Sequence, residues 1–377
     1  MNDLALKQPW QRSPLALWVR RRLQVLDPAL LAIAGALALV GLVTLYSAAN
    51  DFPWRFTDQL RNFAVAAAVM FAAANVPPST LQKLAAPAYV LGVALLVGVE
   101  VAGVTVKGAT RWLDIGVTRI QPSEMMRLAL PLMLAWYFHK REGSRRPLDF
   151  LVAAILMALP VALIAKQPDL GTALLVLAAG VYVIFFAGLP WKWLAALGVA
   201  GLAMLPLAWT MMHDYQRTRV LTLIDPTTDP LGKGFHTLQA TIAIGSGGAF
   251  GKGWMQGTQT HLEFIPERTS DFIFAVFSEE FGLVGNVVLM VLFLSLVGRA
   301  LLIAVNASTT FSRLLAGSIA LIMFTYAFVN MGMVSGILPV VGVPLPFVSY
   351  GGTALVTLGL ACGMLMSINR HRKLVQS

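Results

Sequence analysis

Charge is what this sequence has least of. Of its 377 residues only 12 % are Asp, Glu, Lys or Arg, against about 25 % in an ordinary soluble domain. Hydrophobic residues make up 57 %, and a soluble core stops growing at about 250–300 residues. A soluble globule and a disordered chain are therefore both excluded. The chain has one cysteine, Cys362, which rules out an intramolecular disulfide and a cysteine-based metal site. Acidic residues are scarce as well, 18 against 28 Lys and Arg, for a net charge of +10. In a soluble chain that excess would point to nucleic acid. In so apolar a chain the cations read as topology signals on cytoplasmic loops, and no nucleic-acid partner is expected.

What the sequence has in quantity is long apolar runs. A bilayer core of about 30 Å needs about 20 mostly apolar residues per helix. Such runs lie near 28–48, 59–76, 84–103, 122–138, 148–166, 170–188, 191–212, 281–304, 313–334 and 349–368. Open sheet edges are not viable in lipid, so the expected fold is an all-α polytopic membrane protein of about ten transmembrane helices. Arg20, Arg21 and Arg22 precede the first run, which is too long for a cleaved signal. With the N-terminus inside, 16 Lys and Arg fall on inside segments and 6 on the short outside ones, as the positive-inside rule requires. Both termini are then cytoplasmic. The chain divides into an N-terminal segment 1–27, one membrane domain 28–368 and a tail 369–377. Residues 213–270 form an external loop between spans seven and eight, and its aromatic and aliphatic content predicts order.

Ionisable groups at membrane depth are expensive and mark function. Asp271 ends the external loop directly before the apolar run Phe272-Ile273-Phe274. A carboxylate there suits general-base work, or else helix capping by Ser270 or Asp271. Glu124 and Arg127 share a helix face in the fourth span, either as a functional pair or as a self-neutralising packing pair. Lys166, Gln167, Pro168 and Asp169 break the chain between spans five and six. Asp169 suits the cap of the next helix, and Lys166 suits a turn or an anionic ligand. Lys107, Arg111, Trp112 and Arg119 lie in the outside loop after span three, as a diphosphate and sugar site or as interfacial anchors. Glu279 and Glu280 need partners the sequence does not name. His213, His236 and His261 fit no local metal spacing. The run Gly245-Ser246-Gly247-Gly248, followed by Gly251 and Gly253, lacks the strand–loop–helix context of a phosphate-binding loop.

Several long strings then occur in order: RWLDIGVTRIQPSE at 111–124, LIAKQPDLGTA at 163–173, DPLGKGFHTLQA at 229–240, IAIGSGGAFGKGW at 242–254, GTQTHLEFIPER at 257–268, SDFIFAVFSEEFG at 270–282 and VNMGMVSGILPVVGVPLPFVSYGGT at 329–353. Together they resemble the SEDS family (shape, elongation, division and sporulation), on its RodA branch. The resemblance implies a peptidoglycan glycosyltransferase that polymerises lipid II on the outer face of the bacterial inner membrane during elongation. Its implied partners are a class B penicillin-binding protein and other membrane proteins of the elongation complex. It places the family's catalytic aspartate on Asp271 and the family's glutamate on Glu124. Arg127 stands where the family usually has Lys, Thr269-Ser270 where it has His-Thr, and Ala240 where it has Ser.

In that reading Asp271 takes the proton of a sugar hydroxyl as it attacks the anomeric carbon, and cations stabilise the departing diphosphate. Candidates are Lys107, Arg111, Lys166, Lys233, Lys252 and Arg268, with Glu280 and Asp169 in support. No cofactor is certain; a divalent ion, Mg²⁺ or Mn²⁺, is an alternative source of positive charge. A lipid II flippase without chemistry of its own is the rival reading. Transport predicts ionisable groups spread through the bilayer, whereas here they collect at the outer side.

Overall fold

Proline opens five helices of this chain: α1 (Pro28–Ala48), α2 (Pro53–Ala74), α3 (Pro78–Ala102), α4 (Pro122–Lys140) and α5 (Pro147–Lys166). Its fixed φ suits the first helical turn, where its missing N–H would have no partner. The computed structural model describes residues 25–372 except 107–108, 115, 117–118, 144–145, 212–213, 225–232, 263 and 266. The helices that follow are α6 (Leu170–Phe186), α7 (Trp191–Ala203), α8 (Leu205–Met211), α9 (Asp214–Ile224), α10 (Lys233–Ser246), α11 (Thr258–His261), α12 (Ile273–Val305), α13 (Thr310–Val334) and α14 (Gly352–Arg370). The cap expected at Asp169 is present, and Asp27 forms a second one. Asp27 accepts from Leu30 N at 2.9 Å on α1, and Asp169 accepts from Thr172 N at 3.2 Å on α6.

Among the described residues, six helices are long and apolar enough to cross a bilayer: α1, α3, α5, α12, α13 and α14. The remaining predicted runs are also helical. However, α6 and α7 are shorter, and α2 and α4 carry Arg55, Asp58, Arg61, Glu124 and Arg127. The seventh run is not continuous, because α7 stops at Ala203 and α8 begins at Leu205. The all-α expectation needs one correction. Between α3 and α4 the chain forms a three-stranded antiparallel sheet, β1 (Val104–Val106), β2 (Ala109–Asp114) and β3 (Arg119–Ile120). The three consecutive β-branched residues Val104-Thr105-Val106 suit a short strand, a signal hidden beneath the long apolar runs on either side.

Helix α12 begins eight residues before the predicted span at 281, and the reason is a break. Gly282 has φ 63° and ψ −161°, a conformation open to glycine alone. The polar groups freed there bond to the glycine-rich segment. Leu283 N donates to Gly248 O and Val284 N to Ala249 O, at 2.9 and 3.0 Å. Lys252 N and Gly253 N donate to Glu279 O and Glu280 O, at 3.0 and 3.1 Å. The run whose composition resembles a phosphate cradle is thus a backbone splint for an interrupted helix.

The part of α12 beyond the break lies along α1. At one end Arg299 pairs with Asp27, which Asn369 of α14 also reaches at 2.7 Å. At the other end Ser47 donates to Glu280. Because α1 is 21 residues long, these two ties place Glu279 and Glu280 beside the far end of α1, not midway along it. Helix α14 packs most extensively on α2. Gly359 and Gly363, four residues apart, let the helices approach until a Cβ at either would strike the α2 backbone, the close packing that small residues allow in membranes.

Candidate functional site

Asp271 sits on a stretch of backbone held at three successive carbonyls. Tyr350 N donates to Thr269 O at 2.9 Å, Ser349 Oγ to Ser270 O at 2.7 Å, and Asn330 Nδ2 to Asp271 O at 2.9 Å. Asn330 is fully buried in α13, and its amide also donates to Val343 O at 2.6 Å. Ser349 Oγ in turn accepts from Leu345 N at 2.8 Å. Each such bond contributes about 1 kcal/mol net, and together they fix the segment to α13 and the 343–350 loop. Phe272 is the cap residue of α12 and makes no side-chain capping bond, so neither Ser270 nor Asp271 occupies the cap position. The Asp271 carboxylate faces Gly342, where a Cβ would come within 3.2 Å of Oδ2. The side chain is half-buried.

Two cations flank this segment. Arg268 is buried, donates through Nε to Ala48 O at 2.8 Å and pairs with Asp51. Arg55, in the first turn of α2, donates from Nη1 to Thr269 Oγ1 at 2.5 Å. Its guanidinium lies 4.8, 5.5 and 5.9 Å from the ring centres of Phe52, Trp54 and Tyr350. Burial pushes the Tyr350 phenol above its usual pKa, with Asp58 adding to the shift and Arg55 and Arg61 opposing it.

A second polar cluster is built where α4, α6 and α13 meet. Arg127 Nη1 donates to Glu124 Oε2 at 2.5 Å and Nη2 to Thr172 Oγ1 at 3.2 Å, and its plane lies 4.8 Å from the Tyr326 ring centre. Glu124 and Arg127 are 6 % and 4 % exposed, so neither charge is solvated and each needs the other. The planar fork reaches carboxylate and hydroxyl from two separate nitrogens while its face lies on the ring, a geometry a point-charge ammonium does not reproduce. Arginine at 127 is therefore used as an arginine, in contrast to the family's usual lysine. Asp169 joins the cluster from the start of α6, accepting from Gln121 Nε2 and pairing with Arg111 of β2, both at 3.3 Å. An apolar crevice lined by Ile319, Tyr326, Thr357 and Leu358 opens beside Glu124 and Arg127. It shares Tyr326, Ala354 and Leu358 with a second crevice reaching Pro344–Ser349.

The sequence-predicted residues thus fall into separate groups. Glu124, Arg127, Arg111 and Asp169 converge, and Arg268 stays with Asp271. Trp112 lies on β2, paired in register with Val104. Lys252 pairs with the fully buried Glu279 at 2.7 Å, and Glu279 also accepts from Gln259 N and Thr260 N at the start of α11. Glu280 bonds Ser47. Lys166 stands apart in an exposed pair with Glu100 at 3.2 Å. Lys107 and the Lys233 side chain lie outside the described residues. Sequence reasoning missed Arg55, Asn330 and Tyr326. Asn330 was visible as an amide in an apolar helix, and Arg55 as a cation set in Phe52-Pro53-Trp54-Arg55-Phe56.

These features define a multi-pass helical membrane protein with a clamped carboxylate at one end of its bundle and a buried ion pair between its helices. A family model described as cell cycle protein, for FtsW, RodA and SpoVE, matches residues 24–374. The peptidoglycan glycosyltransferase MrdB of Escherichia coli is 46 % identical over 351 residues, covering 93 % of this chain and 95 % of that protein. The probable peptidoglycan glycosyltransferase FtsW of Geobacter metallireducens is 33 % identical over 360 residues, covering 92 % and 95 %. Among solved structures, the rod shape determining protein RodA of Thermus thermophilus matches with a TM-score of 0.71 at 30 % identity, covering 93 % of this chain and 98 % of that one. A chain from a peptidoglycan synthase complex, solved for the coordination of polymerization and crosslinking, matches with a TM-score of 0.81 at 34 % identity, covering 93 % and 99 %. The chain belongs to the FtsW/RodA/SpoVE family, the SEDS proteins.

Proposed function

We propose that this chain is a peptidoglycan glycosyltransferase in which Asp271 is the general base. The observation that carries the assignment is the clamped backbone at 269–271, which fixes a carboxylate at the junction of loop and bundle. A sugar hydroxyl is a poor nucleophile at neutral pH and needs a base within hydrogen-bond reach. The Asp271 carboxylate accepts that proton as the oxygen bonds to the anomeric carbon of the lipid-linked donor. The carbon–oxygen bond to the diphosphate breaks, and its electron pair leaves with the diphosphate. The displacement inverts the anomeric centre, and the leaving group requires no proton. Its developing charge requires cations.

The topology proposed with this function has ten spans, both termini in the cytoplasm, and 213–270 on the outer face within one membrane domain, 28–368. It is supported by helices at every predicted run and by the α12 break at Gly282, beside the predicted boundary at 281. Lipid II is the substrate, with a class B penicillin-binding protein as partner. The structural match to a chain of a peptidoglycan synthase complex supports that partnership. Among the described residues no three His, Cys, Asp or Glu gather as a metal site. A Mg²⁺ or Mn²⁺ ion would therefore draw its ligands mainly from the diphosphate and water, as Mg²⁺ commonly does.

The test is polymerisation of labelled lipid II by the chain purified with a class B penicillin-binding protein whose transpeptidase is blocked. Wild type should yield glycan polymer, and folded Asp271→Asn none. Polymer from both would remove Asp271 from the chemistry. Polymer from neither, across a range of divalent ions, would favour transport.

A further inference from the structure

Every cation proposed from sequence for the diphosphate, where its side chain is described, is already neutralised. Arg111 pairs with Asp169, Lys166 with Glu100, Lys252 with Glu279 and Arg268 with Asp51. Arg61, on the same helix as Arg55, pairs with Asp58 at 2.9 Å. Arg55 differs from all of these. Among the described residues it pairs with no carboxylate. Its guanidinium donates to a neutral hydroxyl, and its Nε is buried without a hydrogen-bond partner. An arginine kept from carboxylates and stacked among aromatic rings keeps its charge and its planar fork of donors for another anion. Its position is equally specific, because the hydroxyl it touches belongs to Thr269, two residues before Asp271.

We propose that Arg55 is the diphosphate-binding residue of this site, contacting the leaving diphosphate of the lipid-linked donor. The proposal rests on the glycosyltransferase reading above and names which cation the anion meets. Phe52, Trp54 and Tyr350 set apolar ring surface beside the guanidinium, and such low-dielectric surroundings strengthen its attraction for phosphate oxygens. The Thr269 hydroxyl sets its distance from the base. An anion drawn to Arg55 therefore brings the reactive carbon toward Asp271, while the paired cations hold the fold.

The test measures binding of undecaprenyl diphosphate, and of undecaprenol as the uncharged control, to the full chain in detergent. Wild type should prefer the diphosphate. Arg55→Gln should raise the Kd for the diphosphate at least tenfold and leave that for the alcohol unchanged. Arg55→Lys should recover part of the loss, since it restores charge without the bidentate fork. If Arg55→Gln does not fold, Arg55→Lys alone decides, as a weaker grip on the diphosphate with an unchanged grip on the alcohol. A diphosphate Kd unchanged in these variants overturns the proposal and leaves the glycosyltransferase reading standing, provided wild type still polymerises lipid II. Wild type that binds diphosphate no better than alcohol, and makes no polymer, overturns both.

Discussion

The side-chain amide of Asn330 donates to the main-chain oxygens of both Asp271 and Val343, at 2.9 and 2.6 Å. One buried side chain on α13 thereby joins the segment carrying the proposed base to the loop that faces it. Replacing Asn330 with Leu removes both donors and leaves two carbonyls to find other partners, at about 1–3 kcal/mol each where they stay buried. Polymerisation should fall more than tenfold in kcat with little change in KM for lipid II, since Asn330 is fully buried and acts through the Asp271 backbone. Steady-state kinetics on the folded variant check this. A raised KM with unchanged kcat would count against a positioning role.

The Glu124–Arg127 pair is buried, and Arg127 also serves Thr172 and Tyr326. Removing one partner of a buried pair strands the other charge, at a cost of about 3–5 kcal/mol. Glu124→Gln should therefore lower the thermal midpoint in detergent markedly. Arg127→Lys should lower it less, because the charge survives while the hydroxyl bond and ring contact do not. A larger loss for Arg127→Lys than for Glu124→Gln would contradict this ordering.

At Gly282 a Cβ would meet the backbone of Ala249, Phe250 and Gly251, at a positive φ that favours glycine. Gly282→Ala should therefore unseat the 248–253 segment from α12. Proteolysis or hydrogen exchange should show residues 245–261 losing protection ahead of the bundle. Uniform protection in the variant would mean that the splint tolerates the methyl group.

Asp27 is nearly fully buried at the start of α1 and meets Arg299, Asn369 and Leu30 N. Burial pushes its pKa up, but hydrogen bonds from Arg299 and the Leu30 N–H, with the Arg299 charge, hold it below the usual carboxylate value. A carboxyl lowered in the folded state contributes stability above the unfolded pKa of about 3.9 and loses it as pH falls through the folded value. Wild type should thus lose thermal stability below about pH 4. Asp27→Asn should be less stable at neutral pH and show a flatter acid limb. Parallel pH profiles for the two proteins would show that Asp27 does not carry the dependence.

Much of this is legible in the sequence. The apolar runs gave helices near each predicted position, and Asp169 was readable as a cap because proline precedes it at the head of an apolar segment. The pairing of Glu124 with Arg127 followed from helical spacing. The short sheet at 104–120 was not legible, because strands of two to six residues leave too little alternation to count. The partners of Glu279 were equally hidden, because Lys252 and Thr260 lie 27 and 19 residues away through a loop.

By itself the sequence determined that the chain is a membrane protein, about where its helices run, and that Asp271 stands where loop meets bundle. Composition and periodicity are local quantities, and the bilayer converts them directly into helices, because lipid leaves the backbone no other partner. Which of the described candidate cations are paired with carboxylates, and that Arg55 is not, was decided only by the tertiary structure. Arg55 and Thr269 are 214 residues apart, and Asn330 reaches Asp271 across 59. Pairings at that range depend on how α2, α12 and α13 pack, and no local pattern encodes them.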